Sequence, residues 1–102
     1  MNRLIYICAA VILLSAIPVM ALTGEQLKQD ADSPGGYSKG YFDGYVLGVL
    51  ELTKDRLCIA ERVEMWQTLD VIKKYLNDHP EELLLPAFDL VLKAIQTAWP
   101  CK

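Results

Sequence analysis

Beyond its first 21 residues this chain carries only two cysteines, Cys58 and Cys101. Two thiols in a short exported chain read as one disulfide. The bridge closes a loop of about 44 residues, and the chain-entropy estimate for that length is roughly 4 kcal/mol as an upper figure. A domain of about 80 residues has a core of marginal strength, so such a staple weighs heavily in whether it folds.

The expectation of export comes from Met1–Ala21. Asn2 and Arg3 give a short basic start, Leu4–Leu14 is an unbroken apolar run, and Pro18 precedes Val19-Met20-Ala21. Small residues at −3 and −1 after an apolar stretch are the layout of a secretory signal peptide, so cleavage is expected between Ala21 and Leu22. An uncleaved anchor fits less well, because the run barely reaches the roughly 20 residues a span needs. A lipoprotein fits less well too: Cys8 sits early and follows Ile7, where a small residue belongs.

Set aside the leader, and the composition changes meaning. The whole chain of 102 residues is 53% hydrophobic with a net charge of −3. Residues 22–102 are about 46% hydrophobic, an ordinary globular value, and Cys8 leaves with the leader. The remaining charge is about −4, which argues against nucleic acid as the main partner, since phosphate binding needs clustered Lys and Arg. A chain near 100 residues holds one small domain and has no room for a large cofactor-binding enzyme.

The pattern along residues 22–102 is helical, with no alternating strand signal. Thr23 and Gln26 fit a capping box opening a short helix that runs to about Asp30. Ala31–Gly36, with Ser33, Pro34, Gly35 and Gly36, reads as a loop. From Tyr37 to Thr53 a helix is expected to bury Tyr41, Tyr45, Val49 and Leu52 on one face. Gly40, Gly44 and Gly48 recur in it. Each costs about 1 kcal/mol against Ala in a helix interior, so Gly44, Tyr45 and Gly48 are expected to form a packing motif where another backbone comes close. Lys54–Arg62 is a polar loop pinned through Cys58. Val63 to Asn77 is a second helix with Trp66, Leu69, Ile72 and Leu76 inward, ended by Asp78-His79-Pro80. Glu81–Leu85 forms one loose turn. Pro86 suits the first position of a last helix carrying Phe88, Val91, Leu92, Ile95, Ala98 and Trp99. The fold class is therefore all-α: a small single-domain bundle of about four helices with one disulfide.

No catalytic constellation emerges from these residues. His79 is the single histidine, placed at a helix end, whereas a metal site normally wants three or four ligands with His or Cys prominent. Ser33 and Ser38 lie in or beside a Gly-rich loop without a supporting base. Asp70 with Glu81 and Glu82 is a carboxylate grouping of the kind common on solvated faces. Gly35-Gly36 lacks the rest of a phosphate-binding fingerprint. Trp66 and Trp99 read as core residues. No catalytic residue, metal ligand or cofactor is expected, and the function expected of such a chain is binding.

Several short elements recur together in a fixed order. They are Gly44-Tyr45-Val46-Leu47-Gly48-Val49, Cys58-Ile59, Gln67, Lys74-Tyr75-Leu76, His79-Pro80-Glu81-Glu82, Pro86-Ala87, Leu90-Val91, Ala94 and Trp99-Pro100-Cys101. In these the chain resembles the Rap/Tai family of immunity proteins associated with type VI secretion, along about Gly44–Cys101. It departs at Ala60, where the family tends to have Pro, and at Phe42, where many members carry another Cys. The resemblance implies a helical domain over 37–102, preceded by a short helix and loop over 22–36. It also implies residence in the periplasm of a Gram-negative bacterium, with no membrane contact once the leader is removed. It implies a protein toxin as partner, a peptidoglycan amidase that the protein binds and occludes, and a tendency to form homodimers. Toxin-facing residues do not carry over by resemblance. The candidate is the segment anchored by Cys58, with Lys54, Asp55, Arg56, Glu61, Arg62 and Glu64. The alternatives are a periplasmic stress chaperone of the HdeA kind, in which acid protonates the 13 carboxylates and exposes apolar surface, and an envelope-associated binding subunit.

Overall fold

A computed structural model describes residues 2–15 and 21–102. The expected cleavage site falls partly outside them: Ala21 and Leu22 are described, Pro18 and Val19 are not. Among the described residues there are five α-helices and no strand: α1 (Asn2–Ser15), α2 (Gly24–Asp32), α3 (Gly36–Thr53), α4 (Met65–Asp78) and α5 (Ala87–Ala98). The four helices expected after the leader are α2–α5. In helix α1, Leu4, Ile5, Tyr6 and Ile7 all stand exposed. No described helix is long and apolar enough to cross a membrane.

Helix α2 starts as the capping box predicts. The Gln26 amide N–H donates to Thr23 Oγ1 at 3.3 Å, and the Thr23 N–H donates to Gln26 Oε1 at 3.1 Å. It runs to Asp32 rather than Asp30. Lys28 and Asp32 form an i,i+4 ion pair of 2.6 Å that favours the two extra residues. The expected loop Ala31–Gly36 shrinks accordingly to Ser33–Gly35. Helix α2 packs against α3, α4 and α5, and Leu27 at its centre is fully buried.

Helix α3 is rotated relative to the sequence expectation. Its buried face is Phe42, Val46, Val49 and Thr53, again at helical spacing. Of the residues expected inward only Val49 is buried; Tyr45 is half-buried, Tyr41 is exposed and Leu52 is 83% exposed. Burial, with Tyr41 and Asp89 nearby, raises the Tyr45 hydroxyl above its usual range. The glycine packing motif is likewise corrected: a Cβ added at Gly40, Gly44 or Gly48 would meet nothing within 4 Å outside its own helix backbone. These glycines do not admit a neighbouring backbone of this chain. Thr53 closes α3, its hydroxyl donating to the Val49 carbonyl at 2.7 Å, which satisfies a buried polar group.

Helix α4 opens on a capping box at Glu64, whose N–H donates to Gln67 Oε1 at 2.8 Å. It buries Thr68, Ile72, Tyr75 and Leu76. Trp66 is not core: it is 58% exposed and its indole N–H donates to the Glu64 carboxylate. A 3₁₀ turn at Pro80–Glu82 and a short turn lead to Pro86, which caps α5. Helix α5 buries Ala87, Leu90, Val91, Ala94 and Ile95. Ala87, Leu90 and Ala94, absent from the expected stripe, complete it, while Phe88, Leu92 and Trp99 pack around its margin and Ala98 is exposed.

The start of α2 is joined through backbone to the turn that precedes α5. Ala87 N–H donates to Leu22 O at 2.7 Å, Gly24 N–H to Leu85 O at 2.9 Å, and Glu25 N–H to Leu83 O at 2.8 Å. Thr23 and Pro86 form an isolated antiparallel bridge there. Gly24 permits it: a Cβ at that position would collide with Leu90 Cδ1 and press on the Leu83 carbonyl.

Candidate functional site

The segment between α3 and α4 is built from little regular structure. Lys54–Arg56 form a 3₁₀ turn, Leu57 is extended, and Leu57–Ala60 have no regular structure and few backbone hydrogen bonds. Two kinds of anchor hold it. Leu57 and Ile59 pack against the core, and Cys58 is disulfide-bonded to Cys101 with the Cα atoms 5.3 Å apart. The bridge predicted from the cysteine count is thus present, and it ties the segment to the end of the chain. A pocket of about 230 Å³ lined by Leu50, Lys54, Leu57 and Ile59 opens at the base.

Lys54, Asp55, Arg56, Glu61, Arg62 and Glu64 are all exposed on this segment. Among the described residues none of the six makes an ion pair. Glu64 accepts the Trp66 indole N–H, and the other five side chains make no hydrogen bond. Acid and base alternate along the segment, so it offers a partner both signs of charge on a short, pinned stretch of backbone.

A second polar cluster lies where α4 ends. Tyr75 donates its hydroxyl to Glu82 Oε2 at 2.7 Å, and Lys93 of α5 is bonded to Glu82 Oε1. His79, the C-cap of α4, stacks on Tyr75 with ring centroids 4.1 Å apart. Its Nδ1 lies 3.1 Å from Glu81 and 3.3 Å from Glu82. Lys93 and the Tyr75 hydroxyl hold the Glu82 carboxyl below the usual carboxylate range. Burial and the Glu82 carboxylate push the Tyr75 hydroxyl up.

His79, Glu81 and Glu82 bring one ligand atom each within 4.8 Å of one another. Both Glu82 oxygens already serve Lys93 and Tyr75, so a cation there must displace the ammonium. The geometry instead clamps the end of α4 to α5. Asp70 takes no part in it, so the carboxylate grouping considered from sequence separates into the Glu81/Glu82 pair and an isolated exposed residue. Ser33 Oγ accepts the Gly35 N–H at 3.3 Å and belongs to the α2–α3 turn.

The molecule is thus a small helical domain that presents a disulfide-pinned, charge-bearing surface segment. Residues 18–101 match the family described as Rap1a immunity proteins. The match covers most of the chain, and the protein belongs to that family. It extends the resemblance seen from Gly44 onward back through α2. No curated protein matches the chain.

Proposed function

We propose that this protein is a periplasmic immunity protein that binds and occludes a peptidoglycan amidase delivered by a type VI secretion system. It performs no chemistry of its own. The leader Met1–Ala21 directs export and is removed after Ala21. The Lys54–Glu64 segment is the part that enters or covers the toxin's active site. Membership of the immunity family supports the partner class. The observation that carries the reading to a place is the segment itself: six exposed charges without ion pairs, on backbone fixed by the disulfide. A pinned loop loses less conformational entropy on binding than a free one, so more of its contact energy appears as affinity.

The test is co-purification of the exported protein with the cell-wall hydrolase encoded beside it, together with rescue of growth from that hydrolase. A stable complex is expected. Reversing Lys54, Arg56 and Arg62 to Glu is expected to weaken it by at least about tenfold, mainly through lost charge complementarity. Absence of both complex and rescue sinks the immunity reading. A complex indifferent to the three reversals sinks the placement of the contact.

A further inference from the structure

Away from the disulfide-pinned segment, α2 and α3 flank a shallow, open cleft of about 320 Å³ lined by Leu22, Gln26, Gln29, Asp30, Tyr37 and Tyr41. The volume lies at the lower end for ligand pockets, a size for one long side chain. Tyr37 and Tyr41 are one helical turn apart and therefore share a face of α3. Both are exposed, Tyr37 at 88%. Position 40 stands three residues from Tyr37, and position 44 three from Tyr41. Both are glycine with open space around them, so no neighbouring side chain at those positions covers the flanks of the rings. The recurrence of glycine on α3, which packing within this chain does not use, thus acquires a reason.

The charge in the cleft has one sign. Asp30 is the only ionised lining residue, and none of the six is basic. Among the described residues Asp30 makes no ion pair or side-chain hydrogen bond, and Lys28, the nearest base along α2, is held by Asp32. Two aromatic faces, two side-chain amides and a carboxylate without a partner are together the complement of a cation on an apolar stem. Tyrosine rings attract a cation over their faces, the carboxylate pairs with it, and a planar guanidinium suits both partners better than an ammonium does.

We propose that the α2–α3 cleft is a docking site for a basic side chain, arginine above lysine, presented by a partner polypeptide. The guanidinium lies between Tyr37 and Tyr41 and pairs with Asp30, while Gln26 and Gln29 bond the flanking peptide. This site lies on other elements than the Lys54–Glu64 segment and stands independently of the occlusion reading.

The exported protein is titrated, under non-reducing conditions, with a short glycine-flanked arginine peptide and with its citrulline counterpart, which keeps the shape and lacks the charge. Amide shifts are followed by NMR. Shifts confined to α2 and the first half of α3 are expected, with the arginine peptide bound at least about tenfold more tightly. Asp30→Asn is expected to abolish that preference, and Tyr41→Ala to weaken arginine binding with the helical circular dichroism unchanged. Equal binding of the two peptides, a preference surviving in Asp30→Asn, or no shifts at millimolar peptide overturns the proposal. Shifts of the same residues by a peptidoglycan sugar fragment but not by the arginine peptide would replace it with a glycan site. Failure to capture a hydrolase leaves these outcomes untouched, so the two readings fail separately.

Discussion

Gly24 and Gly44 show how differently one residue type is used. At Gly24 a Cβ would strike Leu90 and the Leu83 backbone, while at Gly44 and Gly48 it would enter open space. Gly24→Ala is therefore expected to destabilise by about 1–3 kcal/mol through overpacking. Gly44→Ala and Gly48→Ala are each expected to stabilise by about 0.5–1 kcal/mol, because the helix interior gains a better former at no steric cost. Denaturant midpoints of the three variants check this. Destabilisation by Ala at positions 44 and 48 would restore the packing motif read from the sequence. The sequence could not make the distinction, since spacing alone does not say which face of a helix meets its neighbours. The Thr23–Gln26 box was legible because both partners lie within one turn. Thr23→Ala is expected to cost about 1 kcal/mol, read from the shift in melting temperature.

Among the elements, α3 departs furthest from its expected packing. Its aromatic residues invite a face through Tyr41 and Tyr45, yet the buried face runs through Phe42, Val46 and Val49. The residue types along α3 supply too little contrast between faces to fix its rotation, whereas α4 and α5 are more sharply two-faced, and Ile72, Leu76, Val91 and Ile95 are buried as expected. Phe42 is the discriminating residue, fully buried with the Lys73 ammonium 5.6 Å from its ring centroid. Phe42→Ala is expected to cost about 3–5 kcal/mol, while Leu52→Ala changes stability by less than about 0.5 kcal/mol. Urea unfolding that ranks the two the other way round contradicts the rotation.

The clamp at Glu82 predicts a pH dependence at this same scale. Lys93 and Tyr75 hold the Glu82 carboxyl below the usual carboxylate range. A carboxylate whose folded value is depressed contributes stability above its unfolded value and loses it as pH falls through the folded one. The contribution of the clamp is therefore fully present above about pH 5 and fades below the ordinary carboxylate range. In Glu82→Gln the denaturant midpoint is expected to fall at pH 7 and to vary less steeply between neutral and acid pH than in the parent. Parallel pH curves for the two proteins would contradict the assignment. Neither Lys93 nor Tyr75 was singled out from sequence as a partner of Glu82, because the three come together only when α5 folds back along α4.

At the scale of the whole molecule, one long-range bond was legible and another was not. The Cys58–Cys101 bridge followed from counting thiols once the leader was set aside, because two cysteines allow one pairing. Removing it by Cys58→Ser with Cys101→Ser, across a separation of 43 residues, is expected to cost up to roughly 4 kcal/mol. Cleavage by a protease within residues 57–64 is expected to accelerate, since that stretch has few backbone bonds of its own. Unchanged cleavage would mean that Leu57 and Ile59 hold the segment without the bridge. Membership of the immunity family and the charged segment beside Cys58 were visible in the sequence, whereas the α2–α3 cleft joins residues of two elements that only three dimensions bring together.

The backbone joint of Leu22–Glu25 with Leu83–Ala87 has a further consequence for how the molecule breathes. Helix α2 is held at its start by residues some sixty positions further along the chain. Short peripheral segments normally open at little free-energy cost; here opening the start of α2 strips hydrogen bonds from the turn before α5, and opening that turn strips them from α2. The amides of Gly24, Glu25 and Ala87 should therefore exchange with solvent as one cooperative unit, with a shared opening free energy. A chain cut short before residue 87 would leave α2 without its seat, so the domain completes itself only when its final helix has arrived.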